Sequence, residues 1–216
     1  MFEDRLSGES AAAAIGGGTD HKRRQILDGA RRVFLAAGFD GASMGEIAKA
    51  AGVSKGTLYS YFESKETLFE RLIQDERASL AEALFSLDAE DPDTRAVLGR
   101  LGRSFLRMLV RPEHISSVRM VIGVAEKLPR LGQAFYDAGP RQGRQRLAAY
   151  LDRQVAAGRL AIPDTASAAQ QFLDLCSASV MKQLLFSVTP APDEEMLDRQ
   201  VDSALSLFFA AYAPSR

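Results

Sequence analysis

The sequence predicts an all-α protein: a small N-terminal helical domain followed by a larger C-terminal helical domain. Three observations predict it. Apolar residues recur at spacings of three and four along most of the chain, and no alternating strand pattern interrupts them. Helix-start signals, among them Ser43-x-x-Glu46, Ser54, Ser64 and Asp91-Pro92, stand just ahead of those periodic stretches. Breaks at Gly38, Gly52, Pro112, Pro129, Gly139-Pro140 and Thr189 to Pro192 separate them.

The composition bounds what such a chain can do. Its 216 residues suffice for one large domain or two small ones, and 46% apolar with 25% charged is ordinary for a globular protein. A net charge of -1 excludes coating of nucleic acid along the whole length, so any such contact must be a local patch. Cys176 is the sole cysteine, so no intrachain disulfide is expected and a reducing compartment fits. Ala11 to Ile15 is too short for a secretory leader and comes after Glu3, Asp4 and Glu9. No run approaches the roughly 20 apolar residues that span a bilayer. A cytoplasmic protein without a membrane partner is the expectation.

Residues 1–19 mix acids, an alanine run and Gly16-Gly17-Gly18, and read as a disordered arm. A minor-groove contact by that arm is the alternative, for which only Arg5 is suited. From Asp20, Ile26, Ala30, Val33, Phe34 and Ala37 mark the buried face of a first helix, with Gly38 as its left-handed end and Phe39 packing back.

Ser43 to Phe62 carries the strongest local signal. Ser43 and Glu46 form a capping box, and Met44, Ile47, Ala48 and Ala51 make the inner face of a second helix. Gly52 ends it and Ser54 caps a third, leaving only Val53 between the caps. The two helices must therefore meet at a sharp angle, which is the geometry of a helix-turn-helix over 43–62. Leu58 and Phe62 anchor the third helix, while Lys55 and Tyr59 form one outer row and Thr57 and Tyr61 another. Partial burial against a neighbour is the bland account of two outward tyrosines. In the sharper one, Lys55, Tyr59 and Tyr61 bond phosphates, Thr57 reaches a base edge, and Gly56 lets backbone approach backbone.

Ser64 caps a fourth helix over about 65–87, roughly 35 Å long at 1.5 Å per residue and able to link two domains. Further helices are expected at about 93–110, 113–127, 129–138, 140–157, 164–187 and 193–211. The last two are apolar on more than one face, with Phe172, Leu173, Leu175, Cys176, Val180, Met181, Leu184, Leu185, Leu197, Val201, Leu205, Phe208 and Phe209. Such helices call for a second chain, so they are assigned to a homodimeric four-helix bundle. The domains are accordingly 1–19 arm, 20–80 DNA-binding and 81–216 regulatory and dimerising.

From Asp20 to about Leu80, and above all in GVSKGTLYSYFESKETLF (Gly52 to Phe69), the chain resembles the DNA-binding domain of TetR-type transcriptional regulators. From RMVIGVAEKLPRLGQAFYDAGP onward, roughly Val118 to Phe186, it is similar to the C-terminal domain of the AcrR/AefR-like branch. The resemblance implies a homodimeric all-helical repressor that leaves a palindromic operator when a small apolar or aromatic effector binds. It places Ser43 at a phosphate, Lys55, Gly56 and Thr57 in the major groove, Tyr59 and Tyr61 on the backbone, and Lys65 at a phosphate. Gly45 offers no side chain to a base, and no arginine on the third helix can make the bidentate guanine contact. For the effector, Phe105, Met108, Met120, Phe135, Phe172, Cys176 and Met181 are candidate lining residues, with simple core filling as the alternative for each. Arg100, Arg103, Arg107 and Arg111 line one side of the fifth helix, as a solvated face or an anion site. Glu126 is a solvated helix end or a polar ligand contact.

Two rival classes stand beside the regulator. A helical dimeric scaffold without a DNA role leaves Lys55, Thr57, Tyr59 and Tyr61 unexplained. An enzyme is the outside rival: His21 and His114 lack partners at metal spacing, and no phosphate loop or nucleophile elbow is present. No cofactor or metal is expected.

Overall fold

The structure, a computed structural model, describes the backbone of residues 7–190 and 192–214, and the side chains among them apart from 7–18, 78–81 and 83. The chain forms two compact units, Met1–Leu72 and Ile73–Arg216. Their boundary falls inside the fourth helix, ahead of the residue 80 expected from sequence.

The first unit holds α1 (Ser7–Gly41), α2 (Met44–Ala51), α3 (Lys55–Tyr61) and the first turns of α4 (Lys65–Leu84). The arm expected over 1–19 has helical backbone from Ser7 onward, which suits the high helix propensity of Ala11 to Ala14; its remainder, 1–6, lies outside the described residues. Gly38 breaks α1 with φ 71° and ψ 177°, a backbone that L side chains rarely adopt. Phe39 then folds back as expected, and Phe34, Phe39 and Phe69 form one aromatic cluster with centroids 4.8 to 5.9 Å apart. Ile26, Ala30, Ile47, Leu58 and Leu68 complete this core. Burying one such large side chain contributes about 1.5–3 kcal/mol.

Gly29 sets how closely α1 meets α2. A Cβ there would lie 2.6 Å from both Cβ and backbone N of Ala51, so the helices touch backbone to backbone. Gln25 and Arg32 of α1 reinforce the contact by donating to the carbonyls of Ala51 at 2.6 Å and Ala50 at 2.5 Å.

In the second unit, the rest of α4 leads into α5 (Thr94–Leu109), α6 (Pro112–Ala125), α7 (Pro129–Tyr136), α8 (Gln142–Ala156), α9 (Thr165–Leu185) and α10 (Glu194–Tyr212). Their boundaries lie within a few residues of those expected, because the starts are encoded locally. Asp93, Asp164 and Asp193 accept from the backbone N–H groups of Ala96, Ser167 and Met196, while Pro112 and Pro129 occupy first-turn positions. α4 ends at Leu84 rather than near 87. Phe85 turns inward there, against Gly143 of α8, where a Cβ would sit 2.9 Å from the ring.

Gly139-Pro140 is not the break the sequence suggests. Asp137–Arg141 forms a π-turn that carries the chain from α7 into α8. Proline lacks the N–H that a regular α-helical ladder needs, and a widened turn accommodates the loss without ending the helix.

Most of the apolar residues of α9 and α10 serve this unit's own core. Phe172, Leu173, Cys176, Val180, Leu184, Leu197, Val201, Leu205 and Phe208 are buried within the chain. Phe186 and Val188 beyond α9, and Leu207 on α10, stay 80%, 70% and 56% exposed. In the arginine row, Arg100, Arg107 and Arg111 are exposed and Arg103 is half-buried, so the row is a solvated face, and carboxylates pair with three of the four. Arg103 pairs with Asp198 at 2.9 Å and Asp202 at 2.7 Å, Arg107 with Glu194 at 2.7 Å, and Arg100 with Asp91 at 2.9 Å. No helix among the described residues is long and apolar enough to cross a membrane.

Candidate functional site

The helix-turn-helix assembles as its caps require. Ser43 Oγ accepts from the Glu46 amide at 3.2 Å and donates to its carboxylate at 2.7 Å, while Glu46 accepts from the Ser43 amide at 3.0 Å. Those hydrogen bonds hold the Glu46 carboxyl below its ordinary pKa. Gly52 is left-handed at φ 65° and ψ 36°; its amide bonds Lys49 O at 3.1 Å and the Val53 amide bonds Ala48 O at 3.0 Å. This paired closure turns the chain through one residue into α3. Ser54 then accepts from the Thr57 amide at 3.0 Å.

On α3, Leu58 and Phe62 are buried and Arg23 stacks over the Phe62 ring at 5.9 Å. Lys55 and Gly56 are exposed, Tyr59 is 52% exposed, and Thr57 and Tyr61 are half-buried. Five of the seven residues expected to face DNA thus share a helix whose opposite side is anchored. Three of the expected contacts carry local duties as well, Ser43 through its capping box with Glu46. Thr57 Oγ1 lies 2.9 Å from Ser54 Oγ, which leaves its methyl as the group with no polar duty. Lys65 Nζ donates to Phe39 O at 2.8 Å and Ala42 O at 3.1 Å and sits 4.5 Å from the Phe39 ring centroid. Its ammonium therefore ties the end of α1 to the start of α4.

In the second unit a cavity of about 280 Å³ opens among α4 to α9. Of the candidate lining residues, Phe105, Met108, Phe135 and Met181 border it, together with Phe85, Val118 and Leu173. Phe172, Cys176 and Met120 do not. Phe172 and Cys176 are fully buried in the core, the former edge-on to Phe208 at 5.4 Å. Burial pushes the Cys176 thiol up to about 12, which suits an inert core residue. Glu126 is exposed at the end of α6, away from the cavity.

The polar side of the cavity was not anticipated. Arg77, 7% exposed, donates through Nη1 to His114 Nδ1 at 2.8 Å and through Nη2 to Ser117 Oγ at 3.4 Å, and lies 4.1 Å from the Phe135 centroid. Arginine can only donate, so Nδ1 accepts and the imidazole proton sits on Nε2. Burial lowers Arg77 to about 10, opposed by the nearby Glu76 charge; burial and then the Arg77 charge push His114 down to about 3. At neutral pH the pair is one cation and one neutral ring. Gly139 of the π-turn packs on Arg77, where a Cβ would meet its Cδ at 3.3 Å. One sequence signal could have revealed this site: Arg77 interrupts the apolar stripe of α4, four residues after Ile73 and seven before Leu84. Among the described residues, no group of three or more His, Cys, Asp and Glu side chains could hold a metal.

An anchored helix-turn-helix followed in the chain by a larger helical unit is the architecture of a helix-turn-helix DNA-binding regulator. Residues 26–72 match the family described as bacterial regulatory proteins of the tetR family, and 96–214 match the AefR-like transcriptional repressor C-terminal domain. The chain belongs to the TetR family. A putative TetR-family regulator from Mesorhizobium loti superposes with a TM-score of 0.86 at 27% identity, over 90% of this chain and 98% of that one. The flavonoid-responsive regulator FrrA does so with a TM-score of 0.79 at 32% identity, over 91% and 100%. The HTH-type transcriptional repressor AcnR of Corynebacterium glutamicum is 36% identical over 73 residues, which span 34% of this chain and only 39% of AcnR.

Proposed function

We propose that this protein is a homodimeric transcriptional repressor that binds a palindromic operator through Ser43, Lys55, Gly56, Thr57, Tyr59, Tyr61 and Lys65, and is released by a small, mainly apolar effector. The carrying observation is α3: a capped helix anchored by Leu58 and Phe62 that leaves Lys55, Gly56 and Tyr59 in solvent. A helix so placed fits the major groove, and hydroxyls and an ammonium suit phosphate oxygens. The likeness to repressors such as AcnR supports the same reading.

The effector would occupy the cavity in α4 to α9, whose volume lies near the small end of the roughly 300–1,000 Å³ usual for ligand pockets. Phe105, Met108, Phe135 and Met181 would hold its apolar body. That FrrA is flavonoid-responsive supports an aromatic one. α4 carries both Lys65 and the cavity residues Arg77 and Leu84, so it is the element through which an effector would act on the reading helix. The exposed Leu207 and Phe186 support dimerisation through the last two helices.

Gel-shift titration on the DNA upstream of the protein's own gene tests this. Tyr59→Phe should weaken binding across sequences, and Thr57→Ala should relax preference at one base pair. Retention unaffected by either change would leave a helical scaffold as the better reading.

A further inference from the structure

The cavity is apolar along most of its wall, yet a nearly buried guanidinium stands in it. Burying a cation is costly unless something compensates for the lost water. The hydrogen bonds of Arg77 go to a neutral imidazole and a hydroxyl, with a phenyl face beneath, and the neighbouring Glu76 adds a favourable charge. His114 and Ser117 orient the fork without neutralising it. A hydrophobic wall needs no such group, and a neutral effector would not repay it.

We infer that the effector carries an oxyanion, most simply a carboxylate, which docks on Arg77 beside His114 and Ser117, with its apolar body lying against Phe105, Met108 and Met181. A planar carboxylate matches the guanidinium fork, and charge-assisted hydrogen bonds are about twice as strong as neutral ones. The neutral His114 tautomer has its N–H donor at Nε2, so the imidazole is also suited to an anion. The one carboxylate among the described residues that line the cavity, Asp174, is exposed and accepts from Gln170 at 2.9 Å. It therefore marks the wet rim, and the anion would be directed inward to Arg77, away from it. This inference rests on the cavity being the effector site.

Calorimetric titration of the full-length protein with two matched pairs, 2-naphthoate against 2-naphthamide and decanoate against decanamide, separates the two ideas. The acid of at least one pair should bind about tenfold or more tighter than its amide, and the preference should persist at about 0.5 M salt, where an exposed pairing is screened. Arg77→Gln should bring acid and amide within about threefold of each other while the amide affinity holds. Arg77→Lys, which keeps the charge but not the fork, should keep part of the preference. Equal acid and amide binding to the wild-type protein overturns the oxyanion site and leaves the effector cavity standing. Acid preference retained by Arg77→Gln, or lost on adding salt, overturns it too. No binding by any of the four probes counts against the cavity itself. The wild-type comparison decides even where a variant does not fold.

Discussion

Lys55 lies across Gly45: a Cβ built on Gly45 would stand 3.0 Å from Cε and 3.3 Å from Nζ of the lysine. The glycine thus does more than withhold a side chain from the groove. It leaves α2 open on the side where the lysine that opens α3 passes, and so helps set where that ammonium points.

Gly45→Ala should therefore separate stability from DNA binding. Alanine favours the helix by up to about 1 kcal/mol, and the group it meets is the movable end of a lysine. The variant should melt at the same temperature or slightly higher, yet bind operator DNA several-fold more weakly. Thermal melting and fluorescence anisotropy check the two halves, and unchanged affinity would show that the position of Lys55 does not depend on Gly45.

Gly29→Ala should behave in the opposite way. Its new methyl meets Ala51 Cβ and backbone at 2.6 to 2.7 Å, with no flexible side chain to yield. Forcing α1 and α2 apart should cost at least the 1–3 kcal/mol or so typical of overpacking. Urea unfolding of the first unit's signal reports it, and a fall below about 0.5 kcal/mol would mean that α1 and α2 part without strain.

Lys65→Met keeps the aliphatic stem and removes the ammonium that bonds Phe39 O and Ala42 O. Hydrogen bonds from a charged group contribute about 1.5–3 kcal/mol when buried, and the half-exposed site lowers that, so a loss near 1–2 kcal/mol is expected. A variant that loses DNA affinity with no change in denaturant midpoint would instead assign Lys65 wholly to phosphate.

The second unit should lose stability in mild acid through His114. Its folded pKa, about 3, lies below the ordinary value of 6.5, so the unfolded chain binds the proton more readily between those limits. Its contribution is complete above about pH 6.5 and declines as the pH falls, by at most about 1.4 kcal/mol per pH unit. Denaturant midpoints from pH 7 to pH 4.5 should fall more steeply in the wild type than in His114→Gln. Parallel profiles would show that the ring is not held neutral.

How much could be read from sequence depends on the range of each interaction. Ser43 with Glu46, Gly52 with Ala48 and Lys49, and Asp93, Asp164 and Asp193 with their helices all close within a few residues. Caps and periodicity at that distance leave direct marks in the order of residues, so helix limits and the helix-turn-helix were legible. The break at Gly139-Pro140 was not, because a π-turn and a chain break share the same local residues.

The sequence by itself determined an all-helical chain, most of its element limits, and a short helix with Lys55, Gly56 and Tyr59 on its outer side. Only the tertiary structure decided which apolar side chains became cavity and which became core. Phe105 and Phe172 are equally plausible by type, but the cavity took the first and the core the second, since that depends on how each helix is rotated against its neighbours. Arg77 and His114, 37 residues apart, meet for the same reason. A spacing of three or four says that one face of a helix is buried; what stands opposite that face is settled by packing between distant segments.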